Sequence, residues 1–316
     1  MIQIVTHWGG SASSWAAPFV KMPGGEWHPQ FEEDRLSGDS YTIIADTRNS
    51  DELFQIALAV NAIRHTEDNE TAPIHLKIGY VPYARQDRVA IPGEALSIEV
   101  MADFINMLNF ASVTILDPHS DITTALIKRV RVVTQKELLE DLVCVTPGTR
   151  RRLEAWEIAA EEYLLVAPDA GAIKKTEKIA RELGFRGVVY ADKVRDTSTG
   201  KILRTELTRL IIGGDTCKLD DMAGAKLLVV DDICDGGRTF TELATCLKEH
   251  NPSELGLFVT HGLFTKGVEV LFASGYTKVY TTNSYGLTDY NISNNHMHEE
   301  DDTGIPLFRF RAINNI

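Results

Sequence analysis

Apolar segments with the character of strands alternate with amphipathic, helix-like segments along nearly the whole chain. Leu227–Val230 is continuously apolar, as expected for a strand covered on both faces. Ser50–His65 shows helical spacing, with Ser50 as the expected N-cap. Since such alternation is typical of parallel strands joined by crossover helices, we predict an α/β fold.

The pattern divides into two similar halves at a break near Val145–Thr149. The predicted strands are Ile2–Thr6, Tyr41–Asp46, Ile74–Gly79, Ser112–Asp117, Tyr163–Val166, Gly187–Ala191, Lys226–Asp231, Leu255–Thr260 and Leu307–Arg311. The predicted helices are Ser50–His65, Glu94–Leu108, Ala172–Leu183 and Thr239–Glu249. The polar segment Asn291–Thr303 predicts a mobile loop before the last strand.

Composition narrows the class of protein. The 316 residues carry a formal net charge of −13, which argues against a general nucleic-acid binder. No apolar run is long enough to span a bilayer, and the N-terminus shows no secretory signal. The four cysteines have no metal-ligand spacing, so we expect reduced thiols in a cytoplasm.

The most informative stretch is Lys226–Phe240, which predicts a buried strand, a carboxylate pair and a glycine turn into a helix. Asp231 and Asp232 are expected at the carboxyl end of the strand, where open α/β sheets bind ligands. Amides around Gly236 and Gly237 can close on an anion as the helix begins. Carboxylates for sugar hydroxyls beside amides for a phosphate indicate a ribose-phosphate site.

A cationic turn follows the strand Ile74–Gly79. Arg85 and Arg88 can give bidentate contacts to phosphate, and Gln86 can contact an amide-like edge such as that of adenine. The alternative is a solvated surface turn with Arg88 paired to the neighbouring carboxylate.

Two further strand ends carry metal-ligand types. Asp117, His119 and Asp121 alternate, so an extended segment would place them on one side, where oxygen ligands and an imidazole suit Mg²⁺. The alternative is a local Asx/Pro turn. Asp169 leaves the strand Tyr163–Val166 in the same way.

Lys193 and Arg195 alternate after the strand Gly187–Ala191. Both side chains could point towards one site and stabilise charge on a transferring phosphoryl group. The alternative is an ordinary pair of exposed cations beside a loop.

Five motifs in order resemble the phosphoribosyl pyrophosphate (PRPP) synthetase family, the ribose-phosphate pyrophosphokinases. They are Pro82–Arg88, Asp117–Ser120, Pro168–Gly171, Lys193 with Arg195, and Val230–Thr239. The resemblance implies two tandem phosphoribosyltransferase-like domains, each a mainly parallel sheet flanked by helices. The first would comprise residues 1–146 with a closing strand from 304–316, and the second residues 147–303.

The resemblance also implies an activity and partners. Mg²⁺-dependent transfer of the β,γ-diphosphate of ATP to the anomeric hydroxyl of ribose 5-phosphate would give PRPP and AMP, in a homo-oligomer (dimer or hexamer). No nucleic-acid or membrane partner is expected. The roles implied are ATP binding by Arg85, Gln86, Arg88 and Glu26, metal binding by His119 and Asp169, catalysis by Lys193 and Arg195, and ribose-phosphate binding by Asp231, Asp232, Asp235, Gly236, Gly237, Arg238 and Thr239.

Departures from the family pattern raise alternatives. Met22–Glu26 reads MPGGE where the family has FPDGE, and Trp27 could stack on a base. Arg238 stands where the family has a glycine, and a guanidinium there could serve a second phosphate. ADP-ribose presents one, and divergent phage relatives that this chain resembles use it in NAD⁺ rebuilding. Alternatively, Arg238 pairs outward with Glu242.

Two other classes of function remain open on the sequence. A phosphoribosyltransferase would share Val230–Thr239 but would not need the cationic turn. A non-catalytic regulator of a synthetase would not need Lys193, Arg195, His119 and Asp169, all of which are present.

Overall fold

The computed structural model describes residues 2–140, 142–143, 158–195 and 202–285, without the side chains of 194, 195, 202 and 203. These residues divide into two compact units. Unit 1 contains 2–134 and 283–285, and unit 2 contains 135–140, 142–143, 158–195 and 202–282. The predicted break Val145–Thr149, the loop Asn291–Thr303 and the strand Leu307–Arg311 lie outside the described residues, so the domain limits stay predictions.

Unit 1 contains eight strands and three helices among its described residues. The strands are β1 (Ile2–Trp8), β2 (Ser11–Ala16), β3 (Phe19–Lys21), β4 (Trp27–Pro29), β5 (Ser40–Ala45), β6 (Ile74–Ile78), β7 (Ser112–Leu116) and β8 (Val130–Val133), and the helices are α1 (Ser50–Arg64), α2 (Ser97–Met107) and α3 (Asp121–Leu126). The main sheet has the order β2-β1-β5-β6-β7-β8. β5 to β8 are parallel, β1 is antiparallel to both of its neighbours, and β3 and β4 form a separate hairpin.

The core of unit 1 explains why these segments pair. Ile43, Leu76 and Ile115 lie on adjacent strands, are fully buried, and pack with the apolar face of α1. The predicted cap of α1 was wrong by one residue, because Asn49 accepts the Glu52 amide at 3.0 Å and Ser50 is the first helical residue. Asn49 is itself a favoured cap type, so the cap lies immediately before the expected position.

Unit 2 contains seven strands and four helices among its described residues. The strands are β9 (Tyr163–Ala167), β10 (Gly187–Arg195), β11 (Ile202–Ile212), β12 (Asp215–Cys217), β13 (Lys226–Cys234), β14 (Glu254–Gly262) and β15 (Lys278–Thr281), and the helices are α4 (Gln135–Glu140), α5 (Ile173–Leu183), α6 (Arg238–Lys248) and α7 (Glu269–Ser274). The sheet order is β12-β11-β10-β9-β13-β14-β15. β10, β9, β13, β14 and β15 are parallel to one another, and β11 and β12 extend the sheet beyond β10 in antiparallel fashion.

The predicted α/β class, with mainly parallel sheets flanked by helices, is confirmed. The sequence missed mostly short strands such as β3 and β12, together with the long strand β11. β11 lies between β10 and the edge strand β12, and its antiparallel pairing with β10 carries β10 four residues beyond the predicted end at Ala191. None of the helices in the described part of the chain has the length and apolar character of a membrane span.

Candidate functional site

The carboxyl ends of β9, β10 and β13 bring three carboxylates and one ammonium group together in unit 2. We call Asp169, Asp231, Asp232 and Lys193 the carboxylate cluster. The predicted end of the strand at Asp231 was wrong, because β13 continues to Cys234. β9 ends at Ala167, and Val166 pairs with Val229, so both aspartates of β13 nevertheless lie beyond the end of the adjacent strand. β14 continues to pair with β13 up to Cys234, so the sheet ends beside these two residues only on the side of β9.

Asp169 is held by three hydrogen bonds. Its Oδ1 accepts the backbone N–H groups of Gly171 at 3.1 Å and Ala172 at 3.3 Å, which fixes the turn into α5. Its Oδ2 accepts the Lys193 ammonium at 2.7 Å. The predicted strand-end residues Asp169 and Lys193 are thus partners, although they come from different strands.

Asp231 is the most perturbed carboxyl group of the cluster. Burial raises its pKa well above the ordinary value, and the neighbouring Asp232 and Asp169 carboxylates raise the pKa further. Buried Gln135 donates from Nε2 to the Asp231 carbonyl oxygen at 2.6 Å, which fixes the strand at this point. Negative charge is therefore crowded here beyond what one ammonium balances, and a ligand that brings cations or hydroxyl donors would relieve it.

The glycine turn after β13 opens towards the start of α6. We call Asp235–Thr239 the glycine loop. Gly237 has φ of +77° and precedes the first residue of α6, so the loop needs glycine at this position. The first amide groups of a helix lack partners within it, which makes this turn suited to an anion. Burial, Asp231 and Asp235 raise the pKa of the preceding Cys234 to about 12, so its thiol stays protonated and packs in the core.

The Arg238 side chain is exposed and paired along α6. Its Nε donates to Glu242 Oε1 at 2.7 Å along the first turn of α6, and its side chain is 81% exposed. This is the outward pairing that the sequence left open beside the second-phosphate interpretation.

The sequence reasoning missed Thr265 and Lys266, which follow β14. The Thr265 hydroxyl donates to Asp235 Oδ1 at 2.8 Å, and its backbone N–H donates to the Asp235 carbonyl at 3.1 Å. The Lys266 methylenes lie 3.4 to 3.6 Å from the point that a Cβ on Gly236 would occupy. The rule that located Asp231 could have located this segment as well, because it also follows the carboxyl end of a parallel strand.

In unit 1 the predicted ATP-binding residues form an exposed turn after β6. Arg85, Gln86 and Arg88 are exposed, and the Gln86 N–H donates to the Tyr83 carbonyl at 2.9 Å. Arg88 Nε lies 3.5 Å from Asp87 Oδ1, as in the alternative of a solvated turn. The three side chains share one segment, and their role in ATP binding stays a prediction.

The segment after β7 is not the extended one that would align Asp117, His119 and Asp121. Asp117 is buried with φ of +32°, and Asp121 already begins α3, so the predicted alternation was wrong here. His119 is exposed. Nearby, the buried Ser120 Oγ has no hydrogen-bond partner among the described residues, and the same is true of Thr47 Oγ1 after β5.

The predicted adenine-contacting segment is a hairpin turn. Glu26 is exposed and its carbonyl accepts the Met22 N–H at 2.7 Å. Trp27 donates from Nε1 to Asp51 Oδ2 at 3.3 Å, and the Lys21 ammonium lies 5.1 Å from the Trp27 ring centroid. These contacts hold Trp27 against α1, so any stacking of its ring on a base would have to occur while the ring keeps these contacts.

The described residues contain no group of three or more His, Cys, Asp or Glu arranged to hold a metal ion by themselves. Asp169 and His119 belong to different units. The donor chemistry of the carboxylate cluster nevertheless suits Mg²⁺, a hard cation that takes carboxylate oxygens and keeps waters or phosphate oxygens as its other ligands.

The fold and the site together define a chain of phosphoribosyltransferase-like α/β units. A sequence profile of the phosphoribosyl transferase domain matches residues 150–297. The solved phosphoribosylpyrophosphate synthetase of Mycobacterium smegmatis superposes with a TM-score of 0.69 at 19% identity, over 94% of this chain and 86% of that one. That likeness confirms the fold.

Curated relatives are similar to this chain over most of its length. A putative ribose-phosphate pyrophosphokinase 2 from Streptococcus pyogenes serotype M6 is 25% identical over 80% of this chain and 70% of the relative. The ribose-phosphate pyrophosphokinases of Hyphomonas neptunium and Thermoplasma volcanium are 26% and 24% identical, over 74% and 84% of this chain and 67% and 82% of the relatives. These relatives support the resemblance to the ribose-phosphate pyrophosphokinase (PRPP synthetase) family that the ordered motifs predicted. The predicted class of enzyme, a diphosphokinase-type transferase, is confirmed at the level of the family.

Proposed function

We propose that this protein transfers the β,γ-diphosphate of ATP to the anomeric hydroxyl of ribose 5-phosphate, giving PRPP and AMP. The observation that carries the proposal is the carboxylate cluster directly before the glycine loop, in the unit that matches the phosphoribosyl transferase domain. The names of the curated relatives support the same reaction.

The residues of unit 2 can divide the work. Asp231 and Asp232 would accept hydrogen bonds from the ribose hydroxyls, and the amides of the glycine loop would hold the 5′-phosphate. The C1 oxygen then attacks the β-phosphorus, the bond from that phosphorus to the bridging α,β-oxygen breaks, AMP leaves with the electron pair, and the hydroxyl proton passes to water. Lys193 would neutralise charge that develops on the transferred group, with Arg195 assigned the same part from the family motif.

Mg²⁺ belongs to the proposal as charge neutralisation for the ATP phosphates. Asp169 in unit 2 is a proposed protein ligand and already lies in an excess of negative charge with Asp231 and Asp232, whereas metal binding by His119 in unit 1 stays a prediction. Because Asp169 Oδ2 accepts the Lys193 ammonium at 2.7 Å, a metal ligand role for that oxygen requires this ion pair to open.

The second candidate acceptor, ADP-ribose, rested on Arg238. The pairing of that guanidinium with Glu242 at 2.7 Å engages the group on which this alternative depends, and this supports ribose 5-phosphate as the acceptor that we propose. ATP binding by Arg85, Gln86, Arg88 and Glu26, a homo-oligomeric state and a cytoplasmic location stay predictions.

The test is direct. Purified protein is incubated with ATP, MgCl₂ and either ribose 5-phosphate or ADP-ribose, and AMP and the 1-diphosphate product are quantified. We expect AMP with ribose 5-phosphate at a higher kcat/KM than with ADP-ribose, and none in EDTA. Higher kcat/KM with ADP-ribose would reverse the choice of acceptor, and no AMP with either acceptor would refute the proposed reaction.

A further inference from the structure

A segment from the neighbouring strand is fastened to the glycine loop. Leu263 and Phe264 donate their backbone N–H groups to the Cys234 carbonyl at 2.9 and 3.1 Å, directly after β14. Thr265 then binds Asp235 through both its backbone and its hydroxyl, at 3.1 and 2.8 Å. Four hydrogen bonds therefore fix this segment against the start of the glycine loop.

The residue that follows extends a cation across the loop. The Cγ, Cδ and Cε atoms of Lys266 lie 3.6, 3.4 and 3.5 Å from the Cβ position of Gly236, which is van der Waals contact. The lysine stem therefore lies directly against the backbone of the glycine loop at position 236. The side chain is exposed, and the described residues provide no salt-bridge or hydrogen-bond partner for its ammonium group.

Charge balance makes this lysine the available counter-ion for the loop. A phosphate in the glycine loop would have Asp235 at the start of the loop and the crowded Asp231 and Asp232 just before it, all of which repel a dianion. Arg238 is paired to Glu242 and directed outward. An anion site among carboxylates needs a cation, and Lys266 lies beside the loop with its ammonium uncommitted.

We propose that Lys266 binds the phosphate on the ribose 5-oxygen of the acceptor, as the cation that complements the glycine-loop amides; Arg238, the cation considered from the sequence, was expected to serve a second phosphate. The inference deepens the proposed function and rests on it for the identity of the site. Ribose 5-phosphate and ADP-ribose share this chemistry, since both carry phosphate on that oxygen, and separate arms of the experiment distinguish them.

The test compares Lys266→Met, which keeps the unbranched stem but removes the charge, with Lys266→Arg, which keeps the charge. In steady-state assays with each acceptor, we expect Lys266→Met to raise KM for the acceptor about tenfold, with KM for ATP unchanged and kcat within about twofold. Lys266→Arg should recover most of the loss. Lys248→Met is the matched control, because Lys248 ends α6 at about 15 Å along the helix from the loop, and it should behave as wild type.

Arg238→Met separates the two assignments. An increase of KM with Arg238→Met and none with Lys266→Met would assign the role to Arg238 and overturn the inference. Calorimetric titration with ribose 5-phosphate, without ATP, tests Lys266 apart from the reaction. If wild type binds it about tenfold tighter than Lys266→Met does but forms no AMP, the inference stands and the proposed function fails. If wild type forms AMP and Lys266→Met binds ribose 5-phosphate as tightly as wild type does, only the inference fails. If wild type neither binds ribose 5-phosphate nor forms AMP with either acceptor, both fail.

Discussion

Substitutions in the ion pair of Lys193 and Asp169 can separate the contribution of Lys193 to stability from its contribution to catalysis. Its N–O distance is 2.7 Å, and the two side chains are 17% and 33% exposed. Coulomb attraction at that distance is about 6 kcal/mol for an effective dielectric constant of 20. Desolvation and side-chain ordering offset most of it: exposed pairs contribute about 0.2–1 kcal/mol, and charged hydrogen bonds about 1.5–3 kcal/mol. For a partly exposed pair we expect a coupling free energy of about 1–2 kcal/mol.

Lys193→Met and Asp169→Asn should lower the free energy of unfolding by different amounts. Lys193→Met removes the only cation of the carboxylate cluster, so we expect a loss of about 1–2 kcal/mol, or about 2–8 °C in Tm. Asp169→Asn should cost less, because an amide oxygen can still accept the Gly171 and Ala172 N–H groups and because one repulsive charge beside Asp231 is removed. In the Asp169→Asn background, Lys193→Met should then cost below about 0.5 kcal/mol.

Urea unfolding followed by circular dichroism gives the four free energies, and AMP formation gives the catalytic effect. We expect kcat of Lys193→Met to fall about 100-fold or more. Lys278→Met is the matched control: Lys278 pairs with Glu254 at 2.9 Å with 22% and 18% exposure, at the amino ends of β14 and β15. It should lose similar stability and no activity. Equal losses for Lys193→Met in both backgrounds, or an equal fall in activity for Lys278→Met, would refute the reasoning.

Substitutions at three further positions can be tested by thermal unfolding. Asp231→Asn should raise the free energy of unfolding at pH 7 in EDTA. Burial, followed by the Asp232 carboxylate, raises the pKa of Asp231 in the folded protein. Protonated Asp231 therefore contributes its full stability below about pH 4, and this contribution is lost as the pH rises through the pKa of the folded state. No gain at pH 7, or a gain that persists below pH 4, would contradict this. Asn49→Ala should cost about 1 kcal/mol by removing the cap of α1, and Asn49→Asp should not. Gly79→Ala should cost about 1–3 kcal/mol, because its Cβ would lie 2.7 Å from the Ser284 Cα, and a wild-type Tm would show that the backbone yields there.

The parts of the fold that depend on local pattern were predictable. Apolar runs and helical periodicity located all eight predicted strands within the described residues and the four predicted helices, with ends displaced by a few residues. Asn49 shows the limit, since Asn-Ser offers two adjacent capping residues and only the backbone geometry selects one. β11 shows another limit, because its sequence lacks a clear strand pattern and its conformation depends on pairing with β10.

The site was predictable where a strand end alone defines it. Asp169, Lys193, Asp231 and Asp232 were each chosen for following a strand, and the parallel order of β10, β9 and β13 brings them together. Lys266 was not chosen, because its contact with Gly236 spans thirty positions in sequence and depends on β14 lying next to β13. The sequence shows where strands end but not which ends are neighbours.

The crowding of the carboxylate cluster also predicts how the protein responds to ligands. A ligand that binds only the folded state raises Tm, and the rise in Tm grows with the ligand concentration. We expect the affinity of such a ligand to depend on how much of the repulsion among the carboxylates its binding relieves. Asp231→Asn removes part of the repulsion in advance, so it should stabilise the free protein and reduce the additional Tm shift from Mg²⁺ with ribose 5-phosphate. Asp169→Asn should act in the same direction, because the Asp169 carboxylate also raises the pKa of Asp231. If both variants kept the full ligand-induced shift, the carboxylates would contribute nothing to binding, and their crowding would need a reason other than the ligand.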